Sequence, residues 1–229
     1  MMGNLTQSVL TQNRDTAPPG LDGERSTQPI PRRGQRWIGA ILLGLVIGAA
    51  LLWTGRAWFR PYDFHGFPIQ SPELAADFTL ESSTGQPMRL SDLRGKYVLL
   101  FFGYTSCPDV CPLTLANLAQ TRALLGDQQD EMQVVLISVD PVRDTPQRMA
   151  DYLSLFDPSF LGMTGMPEAI QAVATQFGIF FAQHALDQAT FVDHTSTITV
   201  IDPDGYVRLL FPSQTSSADM AADLLYLMK

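Results

Sequence analysis

The segment TSCPDVCP, residues 105–112, contains both cysteines of the chain, Cys107 and Cys111, with three residues between them. Two thiols in one short segment have few chemical uses. They close a redox disulfide, they offer a thiolate to a peroxide, or they give a metal ion two soft ligands. A helix opening at the motif, with Pro108 at its first position, favours a thiolate at Cys107 through unpaired N–H groups and the positive end of the helix dipole. It also returns Cys111 to the same face one turn later. Cβ atoms at that spacing stand about 5–6 Å apart, whereas a disulfide wants about 3.5–4.5 Å. A bridge there forms only with local adjustment and reopens readily. Pro112 removes another N–H and distorts this first turn.

Soft thiolates select Cu(I), and a site that also holds Cu(II) needs a third donor. The chain offers three histidines, His65, His184 and His194. His65, in YDFHGFP, reads as a solvated or turn residue of a linker, and His184 as an exposed loop residue of an inserted hairpin. His194, in FVDHTSTITVID, directly precedes the strand of the last hairpin. Its plainer reading is an N–H bonded to a nearby carbonyl; beside two cysteines it completes a Cys2His set, which suits copper and also zinc. A peroxidase wants a threonine three residues before its cysteine and a proline seven before, where this chain has Tyr104 and Leu100. A disulfide reductase stays open, although plain exchange needs neither the third intervening residue nor His194.

These residues must be positioned by the elements around them. DFTLES and residues 87–90 form a hairpin entry, and KYVLLFFGY (96–104) is an apolar run of the kind buried on both faces. The cysteines begin where that strand ends. Leucines at helical spacing follow, up to a C-cap at Gly126. QVVLISVD (133–140) is a second buried strand, and Thr145 with Pro146 caps a helix running to about Phe156. A helix from Pro167, a short strand near 179–183, a hairpin turning at residues 202–205 and a helix over 217–228 complete the chain. Strand alternating with helix predicts parallel pairing. The order βαβα then ββα is the thioredoxin arrangement, an α/β fold, here with an N-terminal β-hairpin and an inserted hairpin around 179–192. In such open sheets the reactive crevice lies at the carboxyl ends of the strands, and Cys107 falls there. Ser196 takes the place where thioredoxin-like proteins often have a cis-proline packed against the cysteines.

Composition narrows the surroundings. A net charge of −8 and a pI near 4.7 exclude a phosphate-binding face for nucleic acid. The charge is uneven: residues 1–60 hold seven arginines against three acids, residues 61–229 eight Lys/Arg against twenty acids. WIGAILLGLVIGAALLWTG (37–55) has no formal charge and, as a helix, measures about 28 Å, close to a hydrocarbon core of about 30 Å. Arginines at 32, 33 and 36 place its N-terminus in the cytoplasm, and Trp37, Trp53 and Trp58 sit near its ends. The reading is therefore a disordered cytoplasmic tail (1–36), an uncleaved single transmembrane anchor (37–55), a linker (56–72) and one outer domain (73–229). A bacterial inner membrane, with the domain in the periplasm, fits better than a mitochondrial one, since MMGNLTQSVL makes a poor transit peptide.

FFGYTSCPDVCPLTL, SVDPVRDTP, MTGMPEAI and VDHTSTITVIDPDG, in this order, resemble the successive motifs of the Sco/SenC proteins. The resemblance implies a thioredoxin-like copper-binding protein of cytochrome c oxidase assembly rather than an enzyme. One copper, Cu(I) or Cu(II), would be held by Cys107, Cys111 and His194 and passed to the CuA centre of oxidase subunit II. An upstream copper donor and a thiol reductant are implied as partners. A second family role is thiol chemistry, in which Cys107 and Cys111 form a redox-active disulfide that keeps the CuA cysteines reduced or senses redox state. Asp140, ending a strand in the acidic loop DPVRDTP, and Asp193, beside His194, are the candidates for supporting the metal ligands. Asp144 reads as a turn and helix-start residue, and Met163 and Met166 as core or loop residues.

Overall fold

The computed structural model describes residues 33–58, 61–186, 189–194 and 197–229; the side chains of 33–36, 56–58, 182–186 and 189–194 are outside that description. The sequence-read tail up to residue 32 lies outside it, as does Ser196. The chain divides into two units, Met1–Pro61 and Tyr62–Lys229. In the first, α1 (Arg33–Trp58) is apolar all round between Arg36 and Arg56. Its stretch Trp37–Gly55 is long and apolar enough to cross a membrane, and none of it is buried within the protein.

The second unit is built on a mixed sheet. Its strands and helices run β1 (Phe67–Pro68), β2 (Thr79–Ser82), β3 (Pro87–Arg89), β4 (Tyr97–Gly103), α2 (Val110–Leu124), β5 (Met132–Ser138) and α3 (Pro146–Ser154). Then come β6 (Leu161–Thr164), α4 (Pro167–Gln176), β7 (Phe181–Leu186), β8 (Ala189–His194), β9 (Thr197–Ile201), β10 (Val207–Pro212) and α5 (Ser217–Leu227). Eight strands lie in the order β1-β10-β9-β4-β5-β6-β2-β3. β4, β5 and β6 are parallel, and β9 runs antiparallel to β4. The hairpin β7–β8 pairs only within itself, so the inserted hairpin expected around 179–192 is present.

Every residue of β4 and β5 is buried, which explains their unbroken apolar text. Side chains alternate across the sheet: Gly103 faces Cys111 on α2, while the Phe102 ring meets Phe177, just past α4, at 6.1 Å. α2 ends where Gly126 takes φ 57°, a conformation that glycine adopts without steric cost. Thr145 caps α3 by accepting the Arg148 N–H, with Pro146 inside the first turn.

One strand is new and one expectation changes. β6 was not legible in FLGMT, because a four-residue strand with a glycine is too short to show a period; in the fold it extends the parallel sheet beside β5 and buries Met163 completely. Residues 62–72, expected as linker, belong to the folded unit from Tyr62 onward. Tyr62 stacks on Tyr226 of α5 with centroids 4.0 Å apart, and Phe67–Pro68 pair with β10 at the sheet edge. Proline is tolerated there because an edge strand leaves one row of N–H positions unpaired. The buried carboxylate of Asp223 accepts the backbone N–H groups of His65 and Gly66 and the Tyr62 hydroxyl. His65 is accordingly no free linker residue: its Nδ1 lies 2.9 Å from Asp223 and its Nε2 3.4 Å from Asp219.

Candidate functional site

Cys107 sits in the loop that leaves the carboxyl end of β4. A turn closed by its N–H on the Tyr104 carbonyl, at 3.2 Å, aims it. Neither cysteine is in a disulfide; Cys107 is half-buried and Cys111 fully buried. α2 begins at Val110, after Asp109, rather than at Pro108. Pro112 supplies the reason. Were Pro108 the first residue of the helix, residue 112 would have to donate an N–H to its carbonyl, which proline lacks; two residues later, Pro112 falls in the first turn, where no such bond is required.

Cys107 therefore precedes the helix, but it remains joined to it. Asp109 makes no side-chain cap hydrogen bond. Instead the Cys111 N–H points at the Cys107 sulfur, 3.4 Å away. That sulfur occupies the place of a capping oxygen on the first turn of α2. Burial pushes the Cys111 thiol far up in pKa, partly offset by the Tyr104 backbone N–H that faces it. Behind Cys111, a Cβ on Gly103 would come within 2.9 Å of its sulfur, so only glycine leaves the space that Cys111 fills.

The loop is held from the neighbouring strand. Gly103 and Ser138, the last residues of β4 and β5, are paired, so the loops after them emerge side by side. The wholly buried carboxylate of Asp144 accepts the Thr105 N–H at 2.9 Å, the Thr105 hydroxyl at 2.5 Å and the Ser138 hydroxyl at 2.6 Å. Arg148, on α3, donates to Thr105 Oγ1 at 2.8 Å and to Ser106 Oγ at 3.0 Å. Asp144, read as a turn residue, is thus the anchor of the cysteine loop. Asp140 is also buried, with its carboxylate paired to Arg143, whose guanidinium stands 6.0 Å from the centre of the Tyr104 ring.

His194 ends β8 with its backbone opposite Phe181. β9 then begins at Thr197, and Ile198 pairs with Phe101, so the start of β9 lies at the carboxyl end of β4. Three residues reach at most about 10 Å, which keeps the His194 backbone at the edge of the sheet from which Cys107 emerges. The side chains of His194, Asp193 and His184 lie outside the described residues. Among the described residues, no group of three His, Cys, Asp or Glu side chains is arranged to hold a metal ion. Met163 is core, and Met166, 70% exposed, precedes α4. Residue types alone did not reveal Thr105, Ser106, Ser138 and Arg148, because each becomes a site residue only through the pairing of β4 with β5.

Residues 68–229 match the family model described as SCO1/SenC. A Stutzerimonas stutzeri protein described as copper-binding is 35% identical over 131 residues, 56% of this chain; the match spans 64% of that relative's own length, just under two thirds. The apo Sco1 solution structure from Thermus thermophilus superposes with a TM-score of 0.67 at 40% identity, covering 72% of this chain and 98% of that one. The copper-bound ScoI of Bradyrhizobium japonicum gives a TM-score of 0.62 at 36% identity, covering 67% and 99%. With a family model spanning most of its length and these superpositions on the same thioredoxin-like fold, the chain belongs to the SCO1/SenC family.

Proposed function

We propose that this chain is a membrane-anchored copper carrier that binds one Cu(I) or Cu(II) through Cys107, Cys111 and His194 and serves assembly of the CuA centre on subunit II of cytochrome c oxidase. The observation that carries this reading is the placement of the two cysteines: both lie at the carboxyl end of β4, with Cys107 half-exposed and Cys111 buried behind Gly103. His194 ends β8, three residues before the start of β9, which lies at that end of β4. Two thiolates and an imidazole suit both copper states. A half-exposed outer ligand beside a buried inner one lets an incoming partner reach the ion. The copper-bound relative supports the choice of metal.

In this reading Cys111 arrives as a thiol, and copper displaces its proton, so loading lowers the cost that burial places on a charged Cys111. Trp37–Gly55 anchors the chain in a bacterial inner membrane, N-terminus in the cytoplasm and domain in the periplasm, where an upstream carrier supplies copper. The chain acts as a carrier rather than an enzyme. The second reading, a dithiol that reduces the oxidase cysteines or reports redox state, draws on the adjacency of the two unbridged cysteines.

Anaerobic copper titration of the reduced full chain in detergent, beside His194→Ala, separates the two. One tight equivalent per chain, with a thiolate-to-Cu(II) absorption that His194→Ala removes, is the expected result. Absence of tight copper, together with a readily cycling Cys107–Cys111 disulfide, transfers the function to the dithiol.

A further inference from the structure

The rim around Cys107 is apolar where it meets solvent. Gly103 pairs with Ser138 and Ile137 with Met163, so the segments after β4, β5 and β6 leave the sheet side by side, about 5 Å from strand to strand. Each exposes an apolar side chain that the core does not use: Leu113, 61% exposed in the first turns of α2, Val142, 80% exposed after β5, and Met166 after β6. On the other flank of α2, Pro212 at the end of β10 pairs with Thr197, which brings Ser213 and Gln214 to the same edge. With Val110, Leu113 and Asn117 they wall an open groove of about 320 Å³ that begins at Asp109, two residues after Cys107.

Charge is ordered over the same edge. Of the eight Lys and Arg residues after Pro61, Arg143 and Arg148 are the two on the segment that follows β5. Their carboxylate partners, Asp140 and Asp144, are buried beneath them, while Arg148 is half-exposed and Arg143 partly exposed. Asp109 and Glu168, which face solvent, stand to either side, at the starts of α2 and α4. The middle of the rim thus presents positive charge in a unit that is otherwise acidic. An ion held at Cys107 passes only to ligands that come within bonding distance of it, so whatever accepts it must lie on this rim.

We propose that this rim is the docking surface for the copper-accepting protein, which seats an apolar side chain in the groove beside Leu113 and sets a carboxylate against Arg143 and Arg148. The inference rests on the copper reading given above and adds to it the surface and its chemistry. The apolar anchor supplies affinity. The charge pairing steers encounter and fixes orientation, and salt weakens it.

The test mixes reduced full chain in detergent, loaded with one Cu(I), with the metal-free soluble CuA domain of oxidase subunit II, and follows the copper content of the separated proteins. A small Cu(I) chelator as acceptor gives the control rate, since it needs no docking. Leu113→Ser and Val142→Glu are expected to slow transfer to the domain about tenfold at an unchanged chelator rate. Val142→Lys loses the same apolar contact but adds a cation next to Arg143, so it should slow transfer less than Val142→Glu. Leu155→Glu, at an exposed position where α3 ends, should change neither rate. Wild-type transfer by Leu113→Ser and Val142→Glu overturns the inference and leaves the rim to a second copy or a lipid surface. Equal slowing by Val142→Glu and Val142→Lys overturns the acidic partner, and an equal change toward the chelator overturns docking, because the metal site itself has then changed. Wild type that loads copper but passes none to the domain brings down the CuA reading, and this inference with it, without recourse to a variant.

Discussion

Three donors converge on Asp144, and all of them come from the segments that end β4 and β5. A carboxylate with this many partners in a dry site is costly to remove, because it leaves the wholly buried Ser138 hydroxyl and the half-buried Thr105 without their acceptor. Asp144→Ala is expected to destabilise the folded domain by about 3 kcal/mol or more, seen as a lower denaturation midpoint, and to speed copper loss because Thr105 no longer holds the loop before Cys107. An unchanged midpoint would refute the anchoring role. Asp140 presents the contrasting case: its carboxylate is already engaged by Arg143, so any service to the metal passes through that pair. Cys107 combines two functions, accepting the first-turn N–H of α2 and standing half-exposed at the mouth of the site.

At the level of elements, the entry segment and α5 form a clamp. Tyr62 and the backbone of His65 and Gly66 are gathered onto Asp223, and the His65 ring faces Asp223, Asp219 and Asp63. The hydrogen bond to Asp223 is the main cause that raises the His65 pKa above its ordinary value; slight burial opposes it and the neighbouring carboxylates reinforce it. The Tyr62 phenol is pushed up to about 12, mainly by burial and then by its bond to Asp223. A histidine whose folded pKa is raised contributes stability that is full below its unfolded value, about 6.5, and is lost as pH rises through the folded value. The stability gap between wild type and His65→Gln, measured by denaturant unfolding of metal-free protein, should therefore be widest below about pH 6.5 and narrow at higher pH. A gap that does not vary with pH would contradict the ion pair.

Across the whole molecule, the two units treat their apolar side chains differently. α1 exposes its apolar side chains along its length, while the apolar side chains of the second unit close over β4 and β5. Residues 62–229 expressed alone should fold and stay soluble, with the same metal-free unfolding transition as the full chain, which should sediment with membranes and resist carbonate extraction. If a fragment starting at Tyr62 unfolds, α1 contributes to the domain itself. A fragment starting at residue 73 should be less stable than one starting at 62, because it loses the contacts on Asp223 and the β1–β10 pairing.

Sequence alone determined what local pattern encodes: an apolar helix of membrane length, buried strands flanking the cysteine motif, the capped helix at Thr145, and the two cysteines themselves. Each rests on a periodicity or a cap within one short window. It misplaced the start of α2, though Pro112 held the answer, and it had no means to see β6, the folding of 62–72 onto α5, or the convergence on Asp144. These depend on partners far away along the chain, such as Thr105 with Asp144 or Tyr62 with Asp223. The parallel pairing of β4 with β5 decides which loops share an edge, and burial then drives the polar groups there to find partners.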